Sequence, residues 1–354
     1  MIKLIHLQGC CAKTRPGDGA RRRRVPFMTL PKRCGLGKTG IEITPIGLGC
    51  WQLSEGAGVV GGFWPALGQE EANAIVARSL AGGIDWFDTA EAYGDGRSER
   101  ALAKALTAAG KKPGEVVVAT KWMPIGRTAS SIAKTIGARL EALAPFPIDL
   151  HQVHQPYGFS TVGDEMIAMA DLVDAGKVRA VGVSNFDEAR MRRAHAALAK
   201  RGLPLASNQV RYSLLDRRIE RNGVLSAAKE LGVTIIAYSP LEQGILSGKF
   251  HDDPKLVRAR PGPRRFMASF RASGLEKSRP LIEELRKVAD AHSSTPSQVA
   301  LAWLTQFHGA GAVVAIPGAT KPRHVDDNVG ALRLELTPED LARIDRASQP
   351  CARF

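Results

Sequence analysis

The chain has 354 residues, of which 44% are hydrophobic and 24% charged, and this composition predicts a soluble globular protein with a large core. The length suits one α/β barrel or two ordinary domains, and no apolar run approaches the ~20 residues that a membrane span requires. The formal net charge is +14, but the excess of basic residues is concentrated at one end of the chain.

The N-terminal segment is the most basic part of the sequence. Residues 1–27 carry seven basic side chains and one acid, Asp18, and show no helical or strand period. We predict a disordered basic arm over residues 1–28, a single domain over 29–347 and a tail over 348–354. An alternative is that translation begins at Met28. The arginine run at 21–24 has no interleaved aromatic residues, so nucleic-acid binding is not predicted.

The cysteines indicate the compartment. There are five of them, an odd number without paired metal-ligand spacing: Cys10, Cys11, Cys34, Cys50 and Cys351. This usage predicts a reducing, cytoplasmic location and no metal site.

From Gly35 onward, predicted strands alternate with predicted helices. A hairpin turning at 38–40 precedes a strand over 41–48. Further strands are predicted over 84–88, 116–120, 148–153, 178–183, 205–209, 233–238 and 312–316. Helices are predicted over 69–80, 98–109, 128–142, 163–175, 187–200, 222–231, 279–292 and 296–307, the last with a capping box at 295–298. Eight strand–helix units predict an α/β fold, a (β/α)8 TIM barrel with a short N-terminal β-hairpin.

Four polar residues follow the predicted strands. Asp88 ends the strand over 84–88 and Tyr93 lies in the Gly-rich turn beyond it. Lys121 and His154 follow the next two strands. Because ligands bind at the carboxyl ends of strands in such barrels, we expect these four side chains to meet there.

The chemistry of the four residues is complementary. A tyrosine with a pKa near ~10 is a poor proton donor at neutral pH, and a neighbouring lysine ammonium would lower that pKa. Asp88 would hold Lys121 charged, and His154 could orient a carbonyl oxygen by hydrogen bonding. The arrangement predicts carbonyl reduction or its reverse.

Several sequence blocks resemble the aldo-keto reductase family, in the order in which the family carries them. They cover the chain from about 29 to 347 and lie at 87–94, 120–121, 152–154, 182–186, 208–213, 237–241 and 316–318. The resemblance implies NADPH-dependent reduction of a small aldehyde or ketone, with Tyr93 as general acid and Asp88, Lys121 and His154 completing the catalytic set. Potassium-channel beta subunits resemble the sequence too, which leaves an NADP-sensing regulatory subunit as the alternative.

The resemblance also implies a set of cofactor-binding residues. Ser184, Asn185 and Gln209 match the positions that bind the nicotinamide carboxamide, and Tyr238 matches the ring that stacks on the nicotinamide. The segment 239–249 resembles the pyrophosphate loop. The full expected set is Gly49, Trp51, Ser184, Asn185, Gln209, Tyr238, Ser239, Pro240, Leu241, Gln243, Gly244, Lys249, Arg264, Gly318, Thr320, Lys321, His324, Asp327 and Asn328.

Positive charge supports the assignment of NADPH where the adenosine part of the cofactor is expected to bind. Lys321 lies at the start of a predicted helix, where a 2′-phosphate would be stabilised, so we expect NADPH rather than NADH. The stretch 250–278 is predicted to be either a solvated loop or a lid, in which Arg264 or Arg265 closes over the cofactor phosphates.

Two residues, Glu242 and Gln155, depart from the family pattern. Glu242 puts a negative charge in the pyrophosphate loop, and we expect its side chain to turn outward. Gln155 follows His154 at a position where the family often carries an aromatic or amide residue, which predicts an unusual pocket floor. The aromatic side chains expected to line the substrate pocket are Trp51, Trp64, Trp122 and Tyr157.

Overall fold

The computed structural model describes residues 32–56, 66–258 and 267–353. A parallel sheet of eight strands is the centre of the fold, and its order follows the chain. Its strands are β3 (Leu48–Gly49), β4 (Trp86–Asp88), β5 (Val117–Trp122), β6 (Ile148–Val153), β7 (Val178–Ser184), β8 (Leu205–Arg211), β9 (Thr234–Tyr238) and β10 (Val313–Ala315). Parallel bridges join Ile46 to Ala315 and Gly49 to Gly318, so the first and last strands adjoin and the predicted (β/α)8 barrel is confirmed.

Helices follow the strands around the outside of the barrel. They are α1 (Gln69–Ala81), α2 (Arg97–Ala108), α3 (Ser130–Leu143), α4 (Val162–Asp174), α5 (Glu188–Ala199), α6 (Val224–Leu231), α7 (Lys249–Asp252), α8 (Lys255–Arg258), α9 (Ala272–Ala291), α10 (Pro296–Gln306), α11 (Pro322–Arg333) and α12 (Pro338–Ser348). The predicted capping box at α10 is present, because the Thr295 hydroxyl accepts from Gln298 N and the Gln298 side chain accepts from Thr295 N. Within the described ranges, no helix is long and apolar enough to cross a lipid bilayer.

A small hairpin covers the amino-terminal end of the barrel. Its strands β1 (Cys34–Gly35) and β2 (Glu42–Ile43) are antiparallel, which confirms the predicted hairpin. Leu36 and Ile41 pack into an inner hydrophobic cluster with Trp86 of β4 and other inward-facing strand residues. This end of the barrel is therefore filled, and a cavity can form only at the opposite end.

The prediction of one strand over 41–48 was wrong. The segment contains two short strands, β2 in the hairpin and β3 in the barrel, separated by a bend at Thr44 and Pro45. Pro45 has no N–H to donate to a ladder, and both the N–H and the hydroxyl of Thr44 donate to Asp85 Oδ1, each at 3.0 Å. The side-chain hydrogen bonds thus replace strand pairing and redirect the chain from the hairpin into the barrel.

Other differences lie in the C-terminal half. Helix α9 begins at Ala272 instead of 279 and contains Pro280 in its interior. Helix α12 was not predicted. The proposed N-terminal arm at 1–28 and the lid arginines Arg264 and Arg265 lie outside the described residues.

Packing between the hairpin and the barrel gives a test of stability. A Cβ atom on Gly47 would lie 2.3 Å from the buried ring of Trp86, so Gly47→Ala forces a rearrangement of the core. We expect a loss of about 1–3 kcal/mol in the free energy of unfolding, measured by urea denaturation. The matched control is Gly137→Ala in α3, where nothing lies within 4 Å and the helix should gain about 0.5–1 kcal/mol. Equal stabilities of the two variants would contradict this account of Gly47.

Candidate active site

The four polar residues predicted to meet do lie together. Asp88 is the last residue of β4, Lys121 lies in β5, and His154 directly follows β6. Tyr93 lies in the turn between β4 and α2, and that turn includes Gly94 in the left-handed region with φ of 68°. Because the three strands are adjacent and parallel, their carboxyl ends bring these side chains to one end of the barrel.

An ion pair between Lys121 and Asp88 lies at the base of the site. Lys121 Nζ donates to Asp88 Oδ1 at 2.5 Å and to the carbonyl oxygen of Thr89 at 2.8 Å. The side chains of the pair are 0% and 2% exposed. Burial is the largest influence on the pKa of Lys121 and lowers it, but Asp88 and Tyr93 outweigh burial, so the pKa of Lys121 is raised and the ammonium persists.

Tyr93 shares the same ammonium. Its hydroxyl oxygen lies 3.4 Å from Lys121 Nζ. Burial raises the pKa of Tyr93 and is the largest influence, while the charge of Lys121 lowers it. The net direction is upward, so the expectation of a lowered pKa was wrong: desolvation of the phenolate outweighs the attraction of the ammonium. Tyr93 therefore carries its proton at neutral pH and has a cation beside it to stabilise the anion left when the proton departs.

His154 completes the cluster as a neutral ring. Its centroid lies 5.6 Å from that of Tyr93, with the two rings nearly perpendicular. Burial, and then the charge of Lys121, lower the pKa of His154 to about 3. Its Nδ1 is buried without a hydrogen-bond partner among the described residues. A neutral imidazole next to a protonated phenol can orient a polar group of a ligand without adding charge.

Asp88, Tyr93 and His154 line a cavity of 730 Å³. Most of the positions that the family resemblance assigned to a cofactor line it, together with several that it did not. The lining residues are Gly49, Cys50, Trp51, Gln52, Asp88, Ala92, Tyr93, Met123, His154, Gln155, Ser184, Asn185, Gln209, Tyr238, Ser239, Pro240, Leu241, Gln243, Gly244, Ser247, Lys249, Ser297, Ile316, Pro317, Gly318, Thr320, Arg323, His324, Asp327 and Asn328. The described residues contain no group of three or more His, Cys, Asp or Glu that could hold a metal ion.

Asn185 occupies a strained position in the cavity wall. Its φ of 62° is in the left-handed region, which asparagine tolerates better than most residues. Its Nδ2 donates to His154 O at 3.2 Å, and its Oδ1 accepts from the Tyr238 hydroxyl at 3.0 Å. The amide group is thereby fixed between the ends of β6 and β9 and presents a defined orientation to the cavity.

Some expected residues do not line the cavity. Lys321 is exposed as the N-cap of α11, while Arg323 in the first turn of that helix lines the wall. Trp122 is buried outside the cavity, where its Nε1 donates to Ser131 Oγ, because the last residue of β5 points toward the helices. Tyr157 is 64% exposed. The expectation that Trp122 and Tyr157 line the pocket was therefore wrong, and Trp64 lies outside the described residues.

Glu242 turns away from the cavity but not into solvent. The residue is 1% exposed, and its Oε1 accepts from Arg211 Nη2 and from Arg353 Nη2, both at 2.7 Å. Its φ is 46°, and its side chain is buried away from the cavity that its neighbours Leu241 and Gln243 line. The side chain was expected to turn outward, but it is buried instead. Two arginines, one of them near the C-terminus, neutralise its carboxylate.

Sequence reasoning missed Arg323, Met123 and Gln152. Arg323 is adjacent to His324 in the first turn of α11. Its position next to an expected cofactor residue could have indicated it from the sequence, but Lys321 was chosen instead. Gln152 lies two residues before His154 and shares the inward face of β6 with Leu150, a placement that strand alternation alone could have indicated.

The chain belongs to the aldo/keto reductase family, whose family model matches residues 45–349. An uncharacterised oxidoreductase of Mycobacterium tuberculosis is 39% identical over 299 residues, covering 84% of this chain and 87% of that protein. The chloroplastic pyridoxal reductase of Arabidopsis thaliana is 33% identical over 321 residues, covering 87% of this chain and 84% of that protein. The chain is therefore an oxidoreductase of this family.

Solved structures share the fold. Glycerol dehydrogenase from Gluconobacter oxydans superposes with a TM-score of 0.73 at 27% identity, covering 87% of this chain and 92% of that one. A thermostable aldo-keto reductase in complex with the inhibitor epalrestat superposes with a TM-score of 0.70 at 28% identity, covering 89% of this chain and 99% of that one.

The neutral state of His154 predicts a pH dependence of stability. Its pKa is about 3 in the folded protein and 6.5 when exposed, so below pH 6.5 the unfolded chain binds a proton that the folded chain does not. The free energy of unfolding should fall between pH 6.5 and 4.5, and His154→Gln should reduce that fall by about 2 kcal/mol. Urea unfolding at both pH values measures the difference.

The control is Met123→Leu, which changes another cavity residue without a titrating group and should keep the wild-type pH dependence. A His154→Gln variant whose stability falls as steeply as that of the wild type would show that His154 gains its proton before the protein unfolds.

Proposed function

We propose that this protein is an NADPH-dependent reductase that converts an aldehyde or ketone to an alcohol, with Tyr93 as the proton donor. The observation that carries the proposal is the position of the Tyr93 hydroxyl, 3.4 Å from the buried ammonium of Lys121 and at the base of the cavity. Membership of the aldo/keto reductase family supports the same chemistry.

The chain's residues perform the proton transfer. A carbonyl oxygen placed between Tyr93 and His154 accepts hydrogen bonds from the phenol and the neutral imidazole. As the carbonyl carbon gains a hydride, negative charge develops on the oxygen and the phenol proton moves to it. The phenolate that remains is stabilised by Lys121, whose own charge is balanced by Asp88.

The cavity residues fit a reduced nicotinamide dinucleotide. When bound, this cofactor supplies the hydride. Ser184, Asn185 and Gln209 present polar groups beside the catalytic cluster, and Tyr238 offers a ring. Farther along, Asn328 Nδ2 is buried without a partner among the described residues and would bind an acceptor of the adenine ring. Gly318 also lines the cavity, and its lack of a Cβ leaves the space that the Gln52 side chain occupies, since a Cβ would lie 2.2 Å from that side chain.

Positive charge at the far end of the cavity favours NADPH over NADH. Lys249 and Arg323 line the wall beside His324, and Lys321 lies close enough to contribute. Burial, and then these three cations, lower the pKa of His324 to about 4. An extra phosphate dianion would be stabilised by this group of cations. Because Arg323 lines the cavity, we infer that it, in place of Lys321, is the principal 2′-phosphate ligand.

Replacing the proton donor should abolish turnover without abolishing cofactor binding. We expect Tyr93→Phe to reduce kcat with NADPH by roughly 10²–10⁴-fold, because a positioned general acid contributes about that factor. The assay follows NADPH oxidation with pyridoxal, small hydroxylated carbonyls and aromatic aldehydes, and fluorescence titration measures the Kd for NADPH.

The matched control is Tyr157→Phe, which removes the hydroxyl of an exposed tyrosine outside the cavity and should leave kcat unaltered. Tight NADPH binding by the wild type without reduction of any carbonyl would contradict the reductase proposal and favour the regulatory alternative.

Charge reversal should separate the two cofactors. We expect Arg323→Glu to raise the Kd for both cofactors, with a fold increase for NADPH at least ten times the fold increase for NADH. The reason is that only NADPH carries the additional phosphate. Lys321→Glu, at a residue that does not line the cavity, should have the smaller effect. If both variants weaken NADPH and NADH binding equally, the phosphate lies elsewhere.

A further inference from the structure

The carboxylate of Asp88 makes hydrogen bonds through both oxygens. Oδ1 accepts from Lys121, while Oδ2 accepts from Gln152 Nε2 at 3.1 Å and from Gln209 Nε2 at 2.8 Å. Both glutamines are buried, at 0% and 2% exposure. Gln209 also lines the cavity, whereas Gln152 lies behind the cavity wall.

We propose that Gln152 is a positioning residue for the reaction: its amide fixes the plane of the Asp88 carboxylate so that Oδ1 holds the Lys121 ammonium against Tyr93. The inference rests on the proposed function of Tyr93 as proton donor. It assigns a role to a residue that cannot itself touch a ligand in the cavity.

The barrel provides the space that Gln152 needs. Gln152 is paired with Lys121 on one side and with Gly182 on the other. A Cβ atom on Gly182 would lie 2.4 Å from Ser207 Oγ and 3.0 Å from Gln152 Cγ. Only glycine at that position of β7 leaves the interior volume that the side chains of Gln152 and Ser207 occupy.

An irregularity in the sheet brings the second amide into reach. Between Val181 and Val183 of β7 the register with β8 shifts, so that the partners are Leu205 and Asn208. Leu205 packs in the hydrophobic cluster that the outward-facing strand residues form with the helices, yet Ser207 and Gln209 both contact Gln152 inside the barrel. The extra residue of β8 breaks simple alternation and directs two polar side chains to the interior.

Energetics explain why two neutral donors are present. A buried carboxylate with only one oxygen satisfied would leave unsatisfied acceptor sites, which is costly in the barrel interior. The torsion that rotates a carboxylate is broad, so its plane must be fixed by partners. Lys121 fixes one edge of the group, and the two amides fix the other.

Titratable side chains of the described residues face the ion pair of Lys121 and Asp88 from two directions. Tyr93 and His154 lie on the cavity side, and Cys50 approaches from the loop after β3, where its backbone N–H donates to Asp88 O at 2.8 Å. Since burial opposes the ammonium and Asp88 supports it, a misplaced carboxylate would let Lys121 lose its proton at lower pH. In the pH profile of kcat, the decrease at high pH, called here the alkaline limb, should therefore move to lower pH.

The experiment compares two substitutions on the inward face of β6. Gln152→Met keeps the volume and removes the donor, while Leu150→Met changes a neighbouring interior residue with no polar group. With saturating NADPH, Gln152→Met should lower kcat about tenfold and shift the alkaline limb to lower pH, with the Kd for NADPH within twofold of the wild type. Leu150→Met should leave kcat and the limb unchanged.

A second variant tests the donor itself. In Gln152→Glu, a protonated carboxyl group can donate to Asp88 as the amide does, but an ionised one cannot. We expect kcat near the wild-type value at the acid end of the profile and a steep loss as the pH rises. A uniform loss at all pH values, or none, would overturn the proposal.

Two further results would also overturn it: an unaltered kcat and limb in Gln152→Met, or an equal loss in Leu150→Met. Wild-type turnover is measured first. A wild type without turnover contradicts the reductase function, whereas an active wild type with unresponsive Gln152 variants contradicts only the positioning role.

Discussion

The ion pair between Lys121 and Asp88 is the interaction on which the site depends. Both charges are removed from water, and isolated charges in such a place would be prohibitively costly. The barrel compensates by supplying partners from several strand ends: Thr89 O for the ammonium and the amides of Gln152 and Gln209 for the carboxylate. The Tyr93 phenol, the proposed proton donor, thus lies against a polar cluster whose position is fixed by the sheet itself.

Burial has opposite consequences for the members of this cluster. It raises the pKa of Tyr93 and lowers the pKa of His154, so the phenol stays protonated and the imidazole stays neutral at neutral pH. A proton donor and an uncharged hydrogen-bonding partner therefore coexist beside one cation. That combination suits a reaction in which negative charge develops on a substrate oxygen, since the cation is already in place when the charge appears.

The loop over 239–249 is stabilised by a different set of ion pairs. Ser239, Glu242 and Gln243 all have positive φ, which is unfavourable for residues other than glycine. The ion pairs of Glu242 with Arg211 and Arg353 hold the loop in this conformation, so that its neighbours line the cavity. Residues near the C-terminus therefore help to shape the site, although they are far from it in sequence.

The sequence by itself determined the barrel, because strand and helix periods, capping residues and the polar residues after successive strands are local signals. Asp88, Tyr93, Lys121 and His154 could be found in this way. Only the tertiary structure decided the rest: that burial outweighs Lys121 in its effect on Tyr93, that Arg323 and not Lys321 lines the cavity, and that Glu242 is paired. These outcomes depend on desolvation and on contacts between residues distant in the chain, and a register shift such as that between β7 and β8 reverses side-chain directions that alternation would assign.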